Sequence, residues 1–249
     1  MWLAQHVLQK AKRPYAVLTH TDWTVTNLTT YTFNNVKIGR PDPSRLIVVA
    51  IHGEDSAASF NLNSGTIGGD ASDIILTGAV NLTINTGLMQ LAVPVGEELT
   101  VTGTYSEATS GCMIGVYAIY NLKSHTPRKT AEAQRSSGSG VMQINTLGTD
   151  TTPGMQEAFC SPDAICIAAA SNVGVDAPTW GRNSGTIPVP DGDSFIVPQY
   201  EMNHDFMACG ALLQYPNNFK ISPASTVPQS FSMQFTGSAL SDLVGARWE

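Results

Sequence analysis

The chain has 249 residues, 42% of them hydrophobic and only 13% charged, with a net charge of −7. Charge at about half the usual ~25%, replaced by Ser, Thr, Gly and Asn, excludes a mainly helical protein with long Glu/Lys/Arg faces, and the ample apolar fraction excludes disorder. No run nears the roughly 18 apolar residues of a membrane span, so a soluble all-β chain without membrane insertion is expected. The charge is unevenly placed. Residues 1–135 are neutral, and residues 136–249 carry the whole −7. An acidic half repels phosphate backbones, so no nucleic-acid partner is expected.

The segment Met1–His6 has no basic region, no apolar core and no small-residue cleavage site, so synthesis in the cytoplasm is expected. Trp2, Leu3, Val7, Leu8 and Ala11 follow a helical spacing that Lys12, Arg13 and Pro14 close. A ten-residue helix is not stable alone in water. Residues 1–14 therefore read as an arm that docks, either on its own body or on a neighbouring subunit.

From Tyr15 the pattern becomes that of strands. Trp23, Val25, Asn27 and Thr29 alternate with Thr24, Thr26 and Leu28, and Tyr31-Thr32-Phe33 follows, which reads as continuous strand material. After the turn Pro41-Asp42-Pro43-Ser44, residues 45–51 are apolar on both faces, as in a central strand covered on both sides. Residues 82–93 continue as a meander. Residues 98–105 alternate, with Thr100, Thr102 and Thr104 on one face and Leu99, Val101 and Tyr105 on the other. Cys112 to Tyr120 is a second apolar strand. A long polar loop is expected near residues 123–140. Short strands at 141–147, 164–173, 195–200, 206–214 and 231–235 follow, each bounded by turn formers. Strands at this spacing predict one β-sandwich or jelly-roll domain over residues 15–249, preceded by the short N-terminal arm.

Catalytic motifs are missing. There is no G-x-S-x-G, no H-E-x-x-H, no zinc-type Cys/His spacing and no phosphate-binding glycine loop. The expectation is a non-enzyme with no catalytic residue, no cofactor and no metal. His52-Gly53-Glu54-Asp55 ends the apolar strand and reads as a solvated turn, the alternative being a metal or acid/base group. Glu201, Asn203, His204 and Asp205 cluster acceptors in a hairpin turn, and Asp191-Gly192-Asp193-Ser194 is a turn without the ligands calcium wants. Trp180, Arg182 and Asn183 lie in a turn-rich segment, as a glycan-stacking site would have them, or as a ring packed under a loop. Cys112 and Cys209 read as buried free thiols. Cys160 and Cys166 flank a turn that would place them on facing strands, where a disulfide would fit. Trp248 is expected to anchor the C-terminus or an interface.

The strings Thr30-Tyr31-Thr32-Phe33, Val36-Lys37-Ile38-Gly39, Ser44-Arg45-Leu46-Ile47-Val48-Val49-Ala50-Ile51-His52, Gly115-Val116-Tyr117-Ala118-Ile119-Tyr120 and Leu243-Val244-Gly245-Ala246-Arg247-Trp248 resemble small β-rich proteins encoded among tailed-bacteriophage structural genes. The resemblance spans most of residues 25–120 and the C-terminus and rests on strand patterns, so it assigns no functional residue. It implies a structural virion component: collar or neck, tail, fibre or capsid decoration. Such a protein works through subunit contacts, and its expected partners are its own copies, a trimer being the first guess, and other virion proteins. Two further readings remain open: a virion module that binds a host surface glycan through Trp180, Arg182 and Asn183, and a metal-assisted hydrolase built on His52, Glu54, Asp55 or His204.

Overall fold

The computed structural model describes residues 13–55, 59–78, 84–135, 140–145, 165–173, 179–183, 205–208, 211–214, 224–225, 230–235 and 240–248, and every regular element among them is a strand. The first nine are β1 (Tyr15–Thr24), β2 (Leu28–Lys37), β3 (Leu46–Glu54), β4 (Leu62–Ile67), β5 (Asp70–Ala71), β6 (Asp73–Thr77), β7 (Ile84–Ala92), β8 (Glu98–Thr109) and β9 (Gly111–Tyr120). They build two antiparallel sheets, ordered β1-β9-β3-β7-β6 and β2-β8-β4-β5. Spatial neighbours are mostly not chain neighbours, because the chain crosses between sheets at nearly every step. That is the wiring of a jelly roll, as the strand spacing predicts, though the stretch 82–93 contributes the single strand β7 rather than a meander. Closing it leaves both first strands, β1 and β2, at sheet edges.

The pleat explains which residues lie inside. Alternate side chains of a strand point to opposite faces. Ile47, Val49 and Ile51 of β3 join Ile114, Val116 and Ala118 of β9 in the core between the two sheets, with Tyr31, Phe33, Val101 and Tyr105 from the facing sheet. Leu46, Val48 and Ala50 point the other way, and all nine residues of β3 are buried. Each buried Val, Ile or Leu contributes about 1.5–3 kcal/mol relative to exposure, so β3 and β9 are the thermodynamic centre of the molecule. The glycine pair Gly65↔Gly103 on β4 and β8 leaves room for two large residues of the opposite sheet: a Cβ at Gly65 would meet Met89, and one at Gly103 would meet Ile51. The β4–β5 hairpin turns through Gly68 and Gly69, at φ 70° and 90°, a conformation open to glycine at little cost.

What covers the second face of β3 comes from the other half of the chain. Its strands are β10 (Lys129–Arg135), β11 (Gly140–Asn145), β12 (Ile165–Val173), β13 (Thr179–Asn183), β14 (Asp205–Ala208), β15 (Ala211–Gln214), β16 (Ala224–Ser225), β17 (Ser230–Phe235) and β18 (Leu240–Trp248). The sheet β10-β18-β12-β16 lays Ile165, Ile167, Ala169, Val244, Ala246 and Trp248 on Leu46, Val48, Ala50, Leu88, Tyr117 and Ile119. The result is three layers, with the β3 sheet in the middle. Smaller sheets β11-β17-β13 and β14-β15 complete the strand inventory of the described residues.

Two local readings are corrected. The expected continuous strand from Trp23 to Phe33 is two strands in different sheets, because residues 25–27 form a turn where the Tyr31 hydroxyl donates to the Thr26 carbonyl at 2.8 Å. Within the expected loop near 123–140, Lys129–Arg135 is strand β10, held by a ladder to β18. Its partner lies over a hundred residues away, beyond the reach of any local pattern.

Candidate interaction surface

One outer face of the jelly roll is buried under the C-terminal sheet; the other, on β2, β8 and β4, is bare among the described residues. It carries Thr30, Thr32, Asn34, Thr100, Thr102, Thr104, Ser64 and Thr66, which the ladders set in cross-strand rows. The hydroxyls satisfy one another: Thr30 and Thr104 lie 3.1 Å apart, Thr66 and Thr102 2.6 Å apart, and Thr100 donates to Asn34 Oδ1 at 3.1 Å. No residue of that set is charged. The alternation of residues 98–105 foresaw the β8 part of this face.

At the rim of the same face runs β2, an edge strand. Monomeric proteins commonly guard such edges with charge or proline. From Leu28 to Val36 this strand has neither, and the first charge, Lys37, is engaged by Glu98 of β8. Register shifts between Leu28 and Thr30 and between Phe33 and Val36 leave Thr30–Phe33 as the regular stretch. Beside the start of β2, Trp23, Val25 and Leu28 are 41%, 37% and 41% exposed. Among the described residues, apolar side chains, a hydroxyl face and an open strand edge thus meet along one border.

The second feature is a buried polar cluster between the middle sheet and the C-terminal sheet. Strand β6 ends at Thr77, and the last rung to β7 is Gly78 N–H to Thr86 O at 2.7 Å. Next to it, Asp242 of β18 accepts the Thr86 N–H through Oδ2 at 2.8 Å. Asn85 seals the same end, donating to Gly78 O at 3.2 Å and accepting from Leu62 N–H at 3.1 Å. His52 Nδ1 lies 3.2 Å from the Thr86 hydroxyl, which also bonds Asp242. The donor order His52 to Thr86 to Asp242 gives each hydrogen in this relay an acceptor. Burial raises the Asp242 carboxyl to about 7, against the pull of the Thr86 bonds, and lowers His52 to about 3, so the imidazole is neutral.

His52-Gly53-Glu54-Asp55 is therefore not the solvated turn expected. His52 and Glu54 are 1% and 6% exposed, because β3 continues through them between two layers. Burial, then the neighbouring Asp55 charge, raises Glu54 to about 8. Among the described residues no three His, Cys, Asp or Glu side chains are grouped to hold a metal ion. Trp248 is wholly buried, and its indole donates to Gln90 Oε1 at 3.0 Å. It anchors the C-terminal strand to the chain's own middle sheet, so its ring is not a contact for a neighbour. Cys112 is a buried free thiol, as expected, 3.7 Å from the Tyr105 hydroxyl and pushed up by burial to about 12. Trp180, Arg182 and Asn183 lie on strand β13, paired to β17 with Trp180 opposite Met233, rather than in a turn. Cys166 is on β12 opposite Arg247. Trp2, Leu3, Val7, Leu8, Cys160, Cys209, Asp191–Ser194 and Glu201–His204 lie outside the described residues.

Sequence reasoning missed Arg45. It is fully buried and gives five hydrogen bonds to backbone carbonyls: Nε to Val93 at 2.7 Å, Nη1 to Ile38 and Gly39 at 3.3 and 2.7 Å, Nη2 to Val95 and Gly96 at 2.7 and 2.9 Å. A lone arginine opening an apolar strand was the available signal. Comparison with known proteins finds no matching family model and no matching curated sequence.

Proposed function

We propose that this chain is a structural subunit that works by packing against its own copies and against other proteins of a particle, the virion of a tailed bacteriophage being the assembly its strand patterns resemble. The observation that carries the reading is β2: a ten-residue edge strand, uncharged up to Lys37, bordered by exposed Trp23, Val25 and Leu28 and by a threonine face. Left uncovered, such an edge recruits other strands indiscriminately. A partner in the assembly removes that hazard, and an uncharged face packs against it without the desolvation cost of buried Lys or Glu. A closed ring, with a trimer as the first arrangement to test, leaves no β2 edge open.

The test is the mass of the purified full chain by light scattering, for wild type and for Thr30→Lys and Thr32→Lys. The wild type should be an oligomer, and each lysine variant should fall to the monomer mass with its strand circular dichroism intact. A monomeric wild type, or variants whose mass is unchanged, would reject the reading. Gold-labelled antibody on intact particles then tests the virion assignment separately.

A further inference from the structure

The contact between the C-terminal sheet and the jelly roll is apolar except where the Trp248 indole bonds Gln90 and where Asp242 enters it. Val244, Ala246 and Trp248 follow Asp242 along β18 on the same face and bury themselves on Leu46, Val48, Ala50 and Leu88. Asp242 is completely buried, its Oδ2 is held by Thr86, and its Oδ1 has no hydrogen-bond partner. No cation faces it among the described residues. β7 presents Asn85, Thr86 and Gln90, and the end of β6 presents Gly78, with Asp73 at that strand's far end. β3 presents His52 and Glu54; β10 presents Glu132; strands β11 and β12 contain no titratable group but Cys166. Lys129 and Arg135 of β10 and Arg247 of β18 stand at register positions of the opposite face, alternate to that of Asp242, so every charge the groups on its own face can add at neutral or higher pH is negative. A carboxylate in such a site is opposed both by lost hydration and by its neighbours.

We propose that Asp242 is a proton-operated latch: neutral, it completes the end of β6 and lets the C-terminal sheet dock; ionised, it favours release of β18 and β12 from the jelly roll. The raised carboxyl, at about 7, sets the range. A group whose docked value exceeds its free value of 3.8 holds docking fully below the free value and loses it as pH rises through the docked one. Opening should therefore grow with pH and level off above about 7. The jelly-roll core between its own two sheets has no part in this and stays closed. Opening would bare Leu46, Val48, Ala50, Tyr117 and Ile119, an apolar face ready for another protein.

The experiment is hydrogen exchange of the full chain between pH 5 and 8.5, corrected for intrinsic rates, comparing β12 and β18 with β8 and β9. Wild-type opening relative to that of Asp242→Asn should rise about tenfold per pH unit between pH 5 and 7, one proton being released, and then flatten. A pH-independent ratio would overturn the latch. Asp242→Ser serves where the asparagine variant does not fold. In a His52→Gln, Glu54→Gln background, Asp242 is the buried acid left facing this contact, and protection of β12 and β18 must itself fall about tenfold per unit over that range. Flat protection there, or protection lost equally from β8 and β9, would also overturn it.

Discussion

Asp242 Oδ2 accepts a hydrogen bond from the Thr86 amide at 2.8 Å, joining residues 156 apart in the chain. A side chain here does what a strand normally does. It supplies the acceptor for a backbone N–H that β6, ending at Thr77, does not reach. The same carboxyl oxygen occupies the space where Gly78 has no Cβ.

Asp242→Ala and Gly78→Ala should therefore produce the same defect by two routes. At pH 5, where the carboxyl is neutral, removing the acceptor strands the Thr86 amide and should cost about 1–3 kcal/mol. A methyl at Gly78 collides with Oδ2 and expels it. Urea unfolding of both single variants and the double variant should show the double costing clearly less than the sum, as expected for residues in one network.

Arg45→Met should be among the most destabilising single substitutions, about 3 kcal/mol or more, since five carbonyls lose their donor in a buried site. Arg45→Lys should recover only part of that, because a compact ammonium cannot span acceptors on residues 38–39 and 93–96 as a planar guanidinium does. Thermal unfolding of the two variants side by side checks the order.

Gly103→Ala should cost about 1–3 kcal/mol by overpacking against Ile51. Shortening the opposing side chain relieves the collision, so Gly103→Ala with Ile51→Val should lie closer to wild type than Gly103→Ala alone. Denaturant midpoints of the three proteins test the pairing directly.

Global stability should peak in mild acid. Asp242 and Glu54 are raised in the folded protein to about 7 and about 8, so their contribution is complete below their free values near 4 and is lost as pH climbs through the raised ones. His52 is lowered to about 3, so its contribution is complete above 6.5 and is lost as pH falls towards 3. The two carboxyls outweigh the one imidazole between these limits, which places the maximum at roughly pH 4. Urea midpoints at pH 4, 6 and 8.5 should fall in that order, and Glu54→Gln should flatten the upper part of the curve.

Local pattern revealed what each strand does by itself. The two-faced burial of residues 46–51, the threonine face of β8 and the buried Cys112 thiol follow from alternation and apolar runs, because the pleat imposes a period of two. Pairing between distant segments is different in kind. β10 looked like loop because Lys129, Thr130, Glu132 and Gln134 are polar, and only the ladder to β18 makes it a strand. His52 and Glu54 looked solvated because polar residues usually are; a third layer, contributed by residues 165–169 and 242–248, buries them. The bare border at Trp23, Val25 and Leu28 was hidden for the opposite reason, since apolar residues in a strand pattern read as core.

The placement of β18 has a consequence for how the molecule is made. The jelly roll has all its strands once Tyr120 has been synthesised, yet the outer side of its middle sheet is then greasy and open to water. Its cover cannot form piecemeal, because β18 is the strand to which β10 and β12 both pair. Until residues 240–248 leave the ribosome, β10 and β12 have no common partner. Between the synthesis of Tyr120 and that of residues 240–248 the chain is a finished barrel-like body with an adhesive flank, and β18 is the fastener that closes it.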